Sequence, residues 1–345
     1  MKERLKKIAP WVGYPVFYVF AFAVFSLITF PYDKLKERIV TSFNAKERET
    51  NGHDELQIGE ITGYWLTGLR MKDVRLLTQP ADPTQPPTEM KIDEARVRLS
   101  VLPLIIGNQN LSFKLTAFGG QIDGSYAMSG KDKEFDVTLS GVDIGQVEPV
   151  TSLIGLPASG KLSGTIKLTL PEGKATAASG AVALEATELA VGDGKAKLKG
   201  ALPLPRLLAG TLSLAAEAKA GVLKITKFTA GGKDKDLELA GDGRVQMYDA
   251  TSDSVCDINL RFKINDVYRS KNDITKSLFG APGSTMPPLF EMDKDVKASK
   301  RPDGFYGWSM RGTLGKPVFV PNATGPAVSP AGAGTATVGA APLPR

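Results

Sequence analysis

The sequence predicts a mainly β protein, in which one N-terminal transmembrane helix precedes an antiparallel β-sheet body and a disordered C-terminal tail. Residues 11–30 form an apolar stretch without a charged residue. From residue 56 onward, apolar and polar residues alternate with a period of two, which is typical of strands with one dry and one solvated face. Pairs such as Gly119-Gly120 and Asp242-Gly243 separate the alternating segments and are typical of tight turns.

The apolar stretch at 11–30 is long enough to cross a bilayer. A helix rises about 1.5 Å per residue, so roughly 20 apolar residues span a hydrocarbon core about 30 Å thick. Aromatic rings near both ends of the stretch suit the two membrane interfaces. The aromatic residues assigned to this membrane-spanning segment are Trp11, Tyr14, Phe17, Phe20, Phe25 and Phe30.

Two other interpretations of this stretch compete with a membrane anchor. Ala21-Phe22-Ala23 resembles a signal-peptide cleavage site, but the apolar run continues to Phe30, beyond the about 7–15 residues of an ordinary signal sequence. A buried core helix would need a large helical domain around it, whereas the rest of the chain is predicted to be β. Basic residues lie on both sides of the stretch, and the short basic head favours a cytoplasmic N-terminus with the body across the membrane.

The chain divides into five predicted segments. Leu35, Ile39 and Phe43 recur every four residues and predict a helix after the membrane span. The end of the chain is almost entirely Ala, Gly, Pro, Thr, Ser and Val, a composition that buries too little apolar surface to offset chain entropy. The segments are a basic head at 1–10, the transmembrane helix at 11–30, a juxtamembrane helix and linker at 31–55, a β-rich domain at 56–320 and a disordered tail at 321–345.

The β-rich domain is predicted to contain about a dozen short strands and one or two short helices. The helices are expected at 147–154 and at 267–278, where Gly280 is the stop signal. Asp123-Gly124 is predicted to be a turn in the same way as Asp242-Gly243. Phe305, Tyr306 and Trp308 form a local aromatic cluster that we expect to pack in the core rather than to dock a partner.

A sheet of this size would expose its dry face to water unless the face is covered. The sheet could therefore close on itself, pack against a second sheet or fold over lengthwise. Its apolar residues could fill a closed core or line an open groove, and the sequence does not separate these two alternatives. The candidate residues for this face are Phe113, Leu168, Leu184, Leu214, Leu260 and Phe262.

The sequence offers no catalytic or metal-binding motif, so we expect neither an enzyme nor a cofactor. His53 is the sole histidine and lies in a predicted loop among acidic residues, where solvation is its expected role. Cys256 is the sole cysteine, which excludes an intrachain disulfide and predicts a small packing residue. Asp234 and Asp236 alternate with lysines that would repel Ca²⁺, so we expect a solvated turn. Residues 160–165 resemble a phosphate-binding loop, but their alternation predicts a strand.

The net charge of +6 does not indicate nucleic-acid binding. Residues 1–10 contain four basic residues and one acidic residue, so they contribute +3 of this total. No basic stripe with interleaved aromatic residues follows in the body. The basic head instead suits the anionic lipid of a cytoplasmic leaflet.

Several motifs resemble a known family in their order along the chain. They are FPYDKLK at 30–36, VDIGQVEP at 142–149, LIGLPASGKLSG at 153–164 and GDGK at 192–195. This order resembles the GspN family of type II secretion system proteins in its deltaproteobacterial form, over roughly residues 17–319. Two further motifs are similar to those of the broader group of AsmA-like inner-membrane proteins, namely FGGQIDG at 118–124 and GTLGKP at 312–317.

These resemblances imply a non-catalytic, single-pass inner-membrane protein whose body is a periplasmic, elongated and curved sheet folded into an apolar groove. Similarity to GspN implies a scaffold or assembly component of type II secretion, with other secretion proteins and the inner membrane as partners. Similarity to AsmA-like proteins implies the alternative, a module that binds or transfers phospholipid. A packed dry face favours the scaffold, whereas an open dry face favours lipid. Nucleic acid is not an expected partner.

Overall fold

The computed structural model describes most of the chain between residues 14 and 324. The described residues are 14, 17, 18, 21, 22, 24, 25, 29–49, 54–65, 67–79, 88–147, 157–194, 197–198, 202–203 and 205–324. Sixteen strands and five α-helices are assigned within these ranges. The prediction of a mainly β protein is therefore confirmed.

Fourteen of these strands form one open antiparallel sheet. In chain order they are β1 (Asp54–Tyr64), β2 (Gly68–Thr78), β3 (Thr88–Leu99), β4 (Gln109–Ala117), β5 (Gly120–Ser129), β6 (Asp132–Asp143), β7 (Ala158–Leu170), β8 (Ser179–Val191), β11 (Leu207–Lys219), β12 (Val222–Gly231), β13 (Leu237–Gln246), β14 (Val255–Ile264), β15 (Tyr306–Thr313) and β16 (Lys316–Pro321). Two short strands between β8 and β11, β9 (Lys197–Leu198) and β10 (Leu202–Pro203), pair with each other. Consecutive strands of the large sheet are adjacent, so the chain runs up and down from one edge to the other.

The up-and-down course gives the sheet two different ends. The β1–β2, β3–β4 and β5–β6 connections lie at one end, which we call the near end. The β2–β3, β6–β7 and β14–β15 connections lie at the opposite end, which we call the far end. Residues in two different loops therefore lie at the same end of the sheet whenever both loops connect strands at that end.

The five helices lie in three places along the chain. They are α1 (Tyr32–Glu49) before β1, α2 (Val101–Ile105) between β3 and β4, and α3 (Asp266–Arg269), α4 (Asp273–Phe279) and α5 (Lys294–Ser299) between β14 and β15. α1 lies in the segment where the sequence predicts a juxtamembrane helix. The described part of the body has four short helices, so the prediction of one or two was too low.

The prediction of a single helix at 267–278 is wrong, because Asn272 interrupts it. Asn272 is extended, and its side chain accepts a hydrogen bond from the backbone N–H of Thr275 at 2.8 Å, which caps a new helix. Gly280 ends α4 with a φ of 78°, at the predicted stop. Most of the other predicted helix, at 148–154, lies outside the described residues.

Two predicted turns are also wrong. Asp123-Gly124 lies inside β5, and Asp242-Gly243 lies inside β13. Each glycine is the register partner of a large apolar residue, Phe113 for Gly124 and Ile258 for Gly243. A glycine inside a strand leaves room for a bulky neighbour, so these pairs mark close packing rather than chain reversal.

α1 covers the apolar side of the first two strands. Ile39 and Val40 pack against a buried cluster formed by Ile58, Ile61 and Val74. The apolar residues at one side of α1 and the apolar face of β1 and β2 therefore bury each other, which is the ordinary source of helix stability in proteins.

α1 also occupies the free edge of β1. The side-chain amide of Asn44 accepts a hydrogen bond from the Leu56 N–H at 2.8 Å and donates one to the Leu56 carbonyl at 3.4 Å. Lys36 Nζ donates to the Gly59 carbonyl at 2.7 Å. These side chains satisfy backbone groups to which an additional strand would otherwise bind.

The predicted membrane span lies largely outside the described residues. Trp11 and Phe20 are among the residues of 11–30 that the structure does not describe. Within the described ranges, no helix combines the length and the apolar character needed to cross a membrane. The assigned aromatic residues that are described, all of them exposed, are Tyr14, Phe17, Phe25 and Phe30.

Asp236 is buried, so the prediction of a solvated turn is wrong at this position. It is 3% exposed, and its Oδ2 accepts hydrogen bonds from the Leu208 N–H at 2.7 Å and from Lys271 Nζ at 2.5 Å. Lys271 also lies 4.9 Å from the centre of the Tyr268 ring. Burial, followed by the charge of Asp236, raises the pKa of Tyr268 to about 12. These contacts join the β12–β13 turn to α3.

Other polar residues that the sequence singled out have structural surroundings or lie outside the described ranges. Cys256 is 1% exposed inside β14, and its thiol lies 3.3 Å from the Gly312 carbonyl oxygen. Residues 160–165 lie within β7, a strand. His53 and residues 325–345 lie outside the described residues.

An aromatic cluster packs the far end of the sheet. The ring centroids of Phe262 and Tyr306 lie 5.5 Å apart, and Phe290 lies 5.3 Å from Tyr306 and 5.4 Å from Phe279. Phe305, which precedes Tyr306 in the chain, is buried, and Lys263 Nζ lies 5.9 Å from the centre of its ring. Tyr306 therefore packs against the β14–β15 connection and Phe305 is buried, as the sequence predicts, whereas Trp308 is half-buried in β15.

Glu291 lies beside the aromatic cluster and accepts two hydrogen bonds on one oxygen. Tyr306 Oη donates to its Oε1 at 2.8 Å, and Lys300 Nζ donates at 2.6 Å. Burial by itself favours the neutral acid, but the hydrogen bonds from Lys300 and Tyr306 outweigh it, so the pKa of Glu291 lies below its ordinary value. Glu291 thus ties the β14–β15 connection to β15.

We expect Glu291→Gln to lower the free energy of unfolding at pH 7 by about 1 kcal/mol, because a charged hydrogen-bond acceptor is lost. The pKa of Glu291 is depressed on folding, so its contribution is present above the unfolded pKa and disappears as the pH falls through the folded pKa. Urea unfolding of the full chain in detergent measures the free energy of unfolding of the original and the variant chain. We expect the difference between them at pH 7 and a smaller difference at pH 3. The exposed carboxylate Glu185, changed to Gln, is the control, and an equal effect of the two substitutions contradicts this account.

Candidate functional site

The apolar face of the large sheet is continuous across all fourteen strands. One row of cross-strand partners, each residue paired with the next, contains no polar side chain. From β1 to β16 the row consists of Gly63, Leu69, Val97, Phe113, Gly124, Val137, Ile166, Val182, Ala216, Ile225, Gly243, Ile258, Met310 and Phe319.

Two further rows widen this face. Toward the near end, the partners from β3 to β7 are Leu99, Leu111, Tyr126, Phe135 and Leu168. Toward the far end, the partners from β4 to β11 are Leu115, Ile122, Leu139, Gly164, Leu184 and Leu214. All six residues that the sequence proposed for the dry face lie on this one face.

The middle of the apolar face is not buried as a protein core is. All six proposed residues are half-buried rather than buried. Among the described residues from Leu111 to Gly231, the buried apolar side chains are alanines, apart from Val142 and Ile144. Large side chains that are fully buried, such as that of Tyr268, lie elsewhere in the described chain. The large apolar side chains of β4 to β12 therefore remain accessible from one side.

The apolar face is covered at some positions and accessible at others. At the far end, Ile144 packs with Ala158 and Ala186 in a buried cluster. At the near end, Phe135 of β6 is 36% exposed. The accessible part of the face thus extends to the near end of the sheet.

Glycines on this face receive the large side chains of adjacent strands. The Phe113 ring lies over Gly124, where an added Cβ would overlap with three ring atoms. The Phe113 ring can therefore lie flat along the sheet instead of projecting from it, so the apolar face stays flat at this position. Sequence reasoning missed this role because Asp123-Gly124 also fits a turn, and the alternation that continues through β5 is the signal that could have identified it.

The opposite face of the sheet is polar and carries cross-strand ion pairs. Lys114 and Asp123 lie 3.3 Å apart, and Lys167 and Asp136 lie 2.9 Å apart. These side chains are more than 40% exposed, so each pair contributes little to stability, about 0–1 kcal/mol. This face has the chemistry of an ordinary solvated surface.

The described residues contain no group of three or more His, Cys, Asp or Glu side chains placed to hold a metal ion. The apolar face itself offers hydrocarbon and aromatic surface, with backbone groups engaged in strand pairing. Such a surface can bind a partner through the hydrophobic effect and dispersion, without directional hydrogen bonds.

Comparisons of the chain with protein-family models, with curated proteins and with solved structures give no match. The resemblance to GspN and to AsmA-like proteins therefore stays a prediction that rests on the sequence motifs.

We expect Gly124→Ala to lower the free energy of unfolding by about 1–3 kcal/mol, because the added methyl group displaces the Phe113 ring. Phe113→Leu in the same chain should recover part of this loss, since the shorter side chain no longer overlaps. Urea unfolding of both single variants and the double variant measures the coupling between the two positions. An unchanged free energy of unfolding for Gly124→Ala would contradict the proposed close packing. Purely additive changes in the free energy of unfolding of the double variant would also contradict it.

Proposed function

We propose that this chain holds the acyl chains of phospholipid on the apolar face of its sheet. The observation that supports this most is the combination of unbroken apolar rows with half-buried large side chains in β4 to β12. Apolar surface left in water is unfavourable by about 25 cal/mol per Å². A broad apolar face of this kind favours an apolar occupant.

A hydrocarbon occupant fits this face better than a peptide does. The internal strands pair with neighbours on both sides, so their backbone donors and acceptors are already engaged. A peptide lying across the face would lose water from its own polar backbone without gaining hydrogen-bond partners. An acyl chain has no such groups, and each methylene that it buries contributes about 0.8 kcal/mol.

The dimensions of the accessible face also suit an acyl chain. Seven paired strands, β4 to β8 with β11 and β12, lie side by side in this part of the sheet. At about 4.8 Å between neighbours they extend over roughly 29 Å. An acyl chain of one leaflet covers about half of a 30 Å hydrocarbon core, so it would cross about three strands.

We further propose a location and a cellular role that rest on the sequence. Residues 11–30 anchor the chain in the inner membrane, with the sheet in the periplasm and curved around lipid in the manner of AsmA-like proteins. The motif order supports a second role as a non-catalytic component of type II secretion that contacts other secretion proteins. Normal secretion by cells that lack this chain would contradict the second role.

The lipid proposal is tested by crosslinking from the two faces of one strand. A photo-crosslinking residue replaces either Leu214 on the apolar face or the preceding residue, Ser213, on the polar face, in full-length protein expressed in cells. We expect a phospholipid adduct, identified by mass, from position 214 and not from position 213. Absence of an adduct at 214 in folded protein, or equal adducts at both positions, would overturn the proposal.

A charged substitution distinguishes an open face from a closed core. We expect Leu214→Asp to leave the protein folded, because Leu214 is half-buried and the new carboxylate can reach water. The same variant should retain less co-purified phospholipid than Ser213→Asp, its control on the polar face. Unfolding of Leu214→Asp, with a folded control, would show that the face is a closed core.

A further inference from the structure

A second apolar surface lies at the near end of the sheet, outside the sheet face. α2 and the residue after it present a run of large apolar side chains to solvent, with Leu102 79% exposed and Ile105 and Ile106 each 74% exposed. Trp65, in the β1–β2 turn, is 72% exposed. We call this surface the near-end patch, and its residues are Trp65, Val101, Leu102, Leu104, Ile105 and Ile106.

The two parts of the near-end patch are held together by hydrogen bonds between their loops. The Leu99 N–H donates to the Thr67 carbonyl at 3.3 Å, and Thr67 Oγ1 donates to the Leu99 carbonyl at 2.6 Å. Within the β3–β4 connection, the Asn108 N–H donates to the Pro103 carbonyl at 2.9 Å. The loop thus satisfies backbone groups internally while its apolar side chains point outward.

Phe30, the last residue of the uncharged stretch at 11–30, lies at this same end of the sheet. Tyr32, the first residue of α1, places its hydroxyl over Gly63, so closely that a Cβ there would overlap with it. Gly63 is the residue before the last of β1 and therefore lies at the near end. The Phe30 and Tyr32 rings lie 4.9 Å apart, which places the end of the apolar stretch there too. Phe30 and the near-end patch therefore lie at the same end of the sheet.

The polar face beside the near-end patch carries an excess of positive charge. Arg70 and Arg96 are cross-strand partners, and Arg98, two residues further along β3, is exposed. Glu94 pairs with Arg70 at 2.6 Å and also with Arg96. Three guanidinium groups and one carboxylate leave a local charge that suits the anionic headgroups of a membrane surface.

We propose that the near-end patch lies in the interfacial region of the membrane that residues 11–30 enter, so that the sheet stands with its near end against the bilayer. Exposed leucine and isoleucine on a short helix, with a tryptophan beside them, are typical of segments that insert into the headgroup and acyl boundary. The inference rests on the membrane anchor of the proposed function. It adds a second contact with the membrane and sets the direction of the sheet.

This arrangement brings the accessible side of the apolar face next to the bilayer. The near-end row of large apolar side chains contains Leu99, Leu111 and Phe135, and Gln109 and Lys133 lie beyond it in β4 and β6. Leu99 is two residues from Val101 of the near-end patch, so membrane contact and apolar face adjoin along the chain. Lipid could reach the face from the bilayer beside Leu99, where the apolar face and the near-end patch are adjacent in the chain.

The test places an environment-sensitive dye at one position on each end of the sheet. In the full-length chain with Cys256→Ala, either Leu102→Cys or Lys233→Cys, an exposed residue of the far end, carries a nitrobenzoxadiazole label. The protein is reconstituted in vesicles of phosphatidylcholine and phosphatidylglycerol that contain a doxyl-labelled lipid as quencher. We expect a blue shift and strong quenching of the dye at position 102, and neither at position 233.

Substitutions within the patch, and the comparison between positions 102 and 233, show whether the quenching depends on the near-end patch. Ile105→Asp and Ile106→Asp, added to the Leu102→Cys chain, should reduce the quenching while the circular dichroism of the sheet is unchanged. Quenching at 102 that does not exceed quenching at 233, including no quenching at either position, overturns the inference. The readout is independent of lipid crosslinking at Leu214, so failure of the acyl-chain proposal and failure of membrane contact by the near-end patch are separately visible.

Discussion

Each internal strand of the large sheet finds its hydrogen-bond partners in its neighbours, but the apolar side chains on one face have no layer of similar size to pack against in the described chain. A single-layer sheet pairs its backbone hydrogen-bonding groups internally. The side chains of its apolar face must then be covered by other elements or by a bound partner. The free energy of the hydrophobic effect therefore decides where the remaining elements lie. α1 and the helices between β14 and β15 lie where the first and last strands are covered, and large side chains stay accessible in the strands between them.

The first strands and the last strands of the sheet are covered by different kinds of side-chain contact. At the first edge, α1 places Ile39 and Val40 on β1 and β2 and buries aliphatic side chains. At the last strands, an aromatic cluster around Phe290 is held in place by polar contacts, with Glu291 accepting hydrogen bonds and Asn272 restarting a helix. Glu291 and Asn272 are half-buried there, and each has hydrogen-bond partners, which surroundings of lower dielectric constant require.

The sequence was sufficient to predict the two-faced sheet, because the direction of a strand side chain depends on its own position along the strand. Leu184 and Leu214 lie on the apolar face for this local reason. The role of Gly124 depends on Phe113 in the adjacent strand, and an Asp-Gly pair fits a turn equally well. The burial of Asp236 depends on Lys271, which is 35 residues away. Whether the dry face is covered depends on the placement of every other element, which no local pattern contains.

The two edges of the sheet differ in what they allow another copy of the chain to do. The β1 edge is occupied by Asn44 and Lys36, which already engage its outward backbone groups. The β16 edge strand is contacted by α5, but Val318 and Phe319 in this strand are 57% and 50% exposed. Two copies that paired through β16 would present only blocked β1 edges to the outside. Strand addition would therefore stop at a symmetric pair and could not propagate into a fibre.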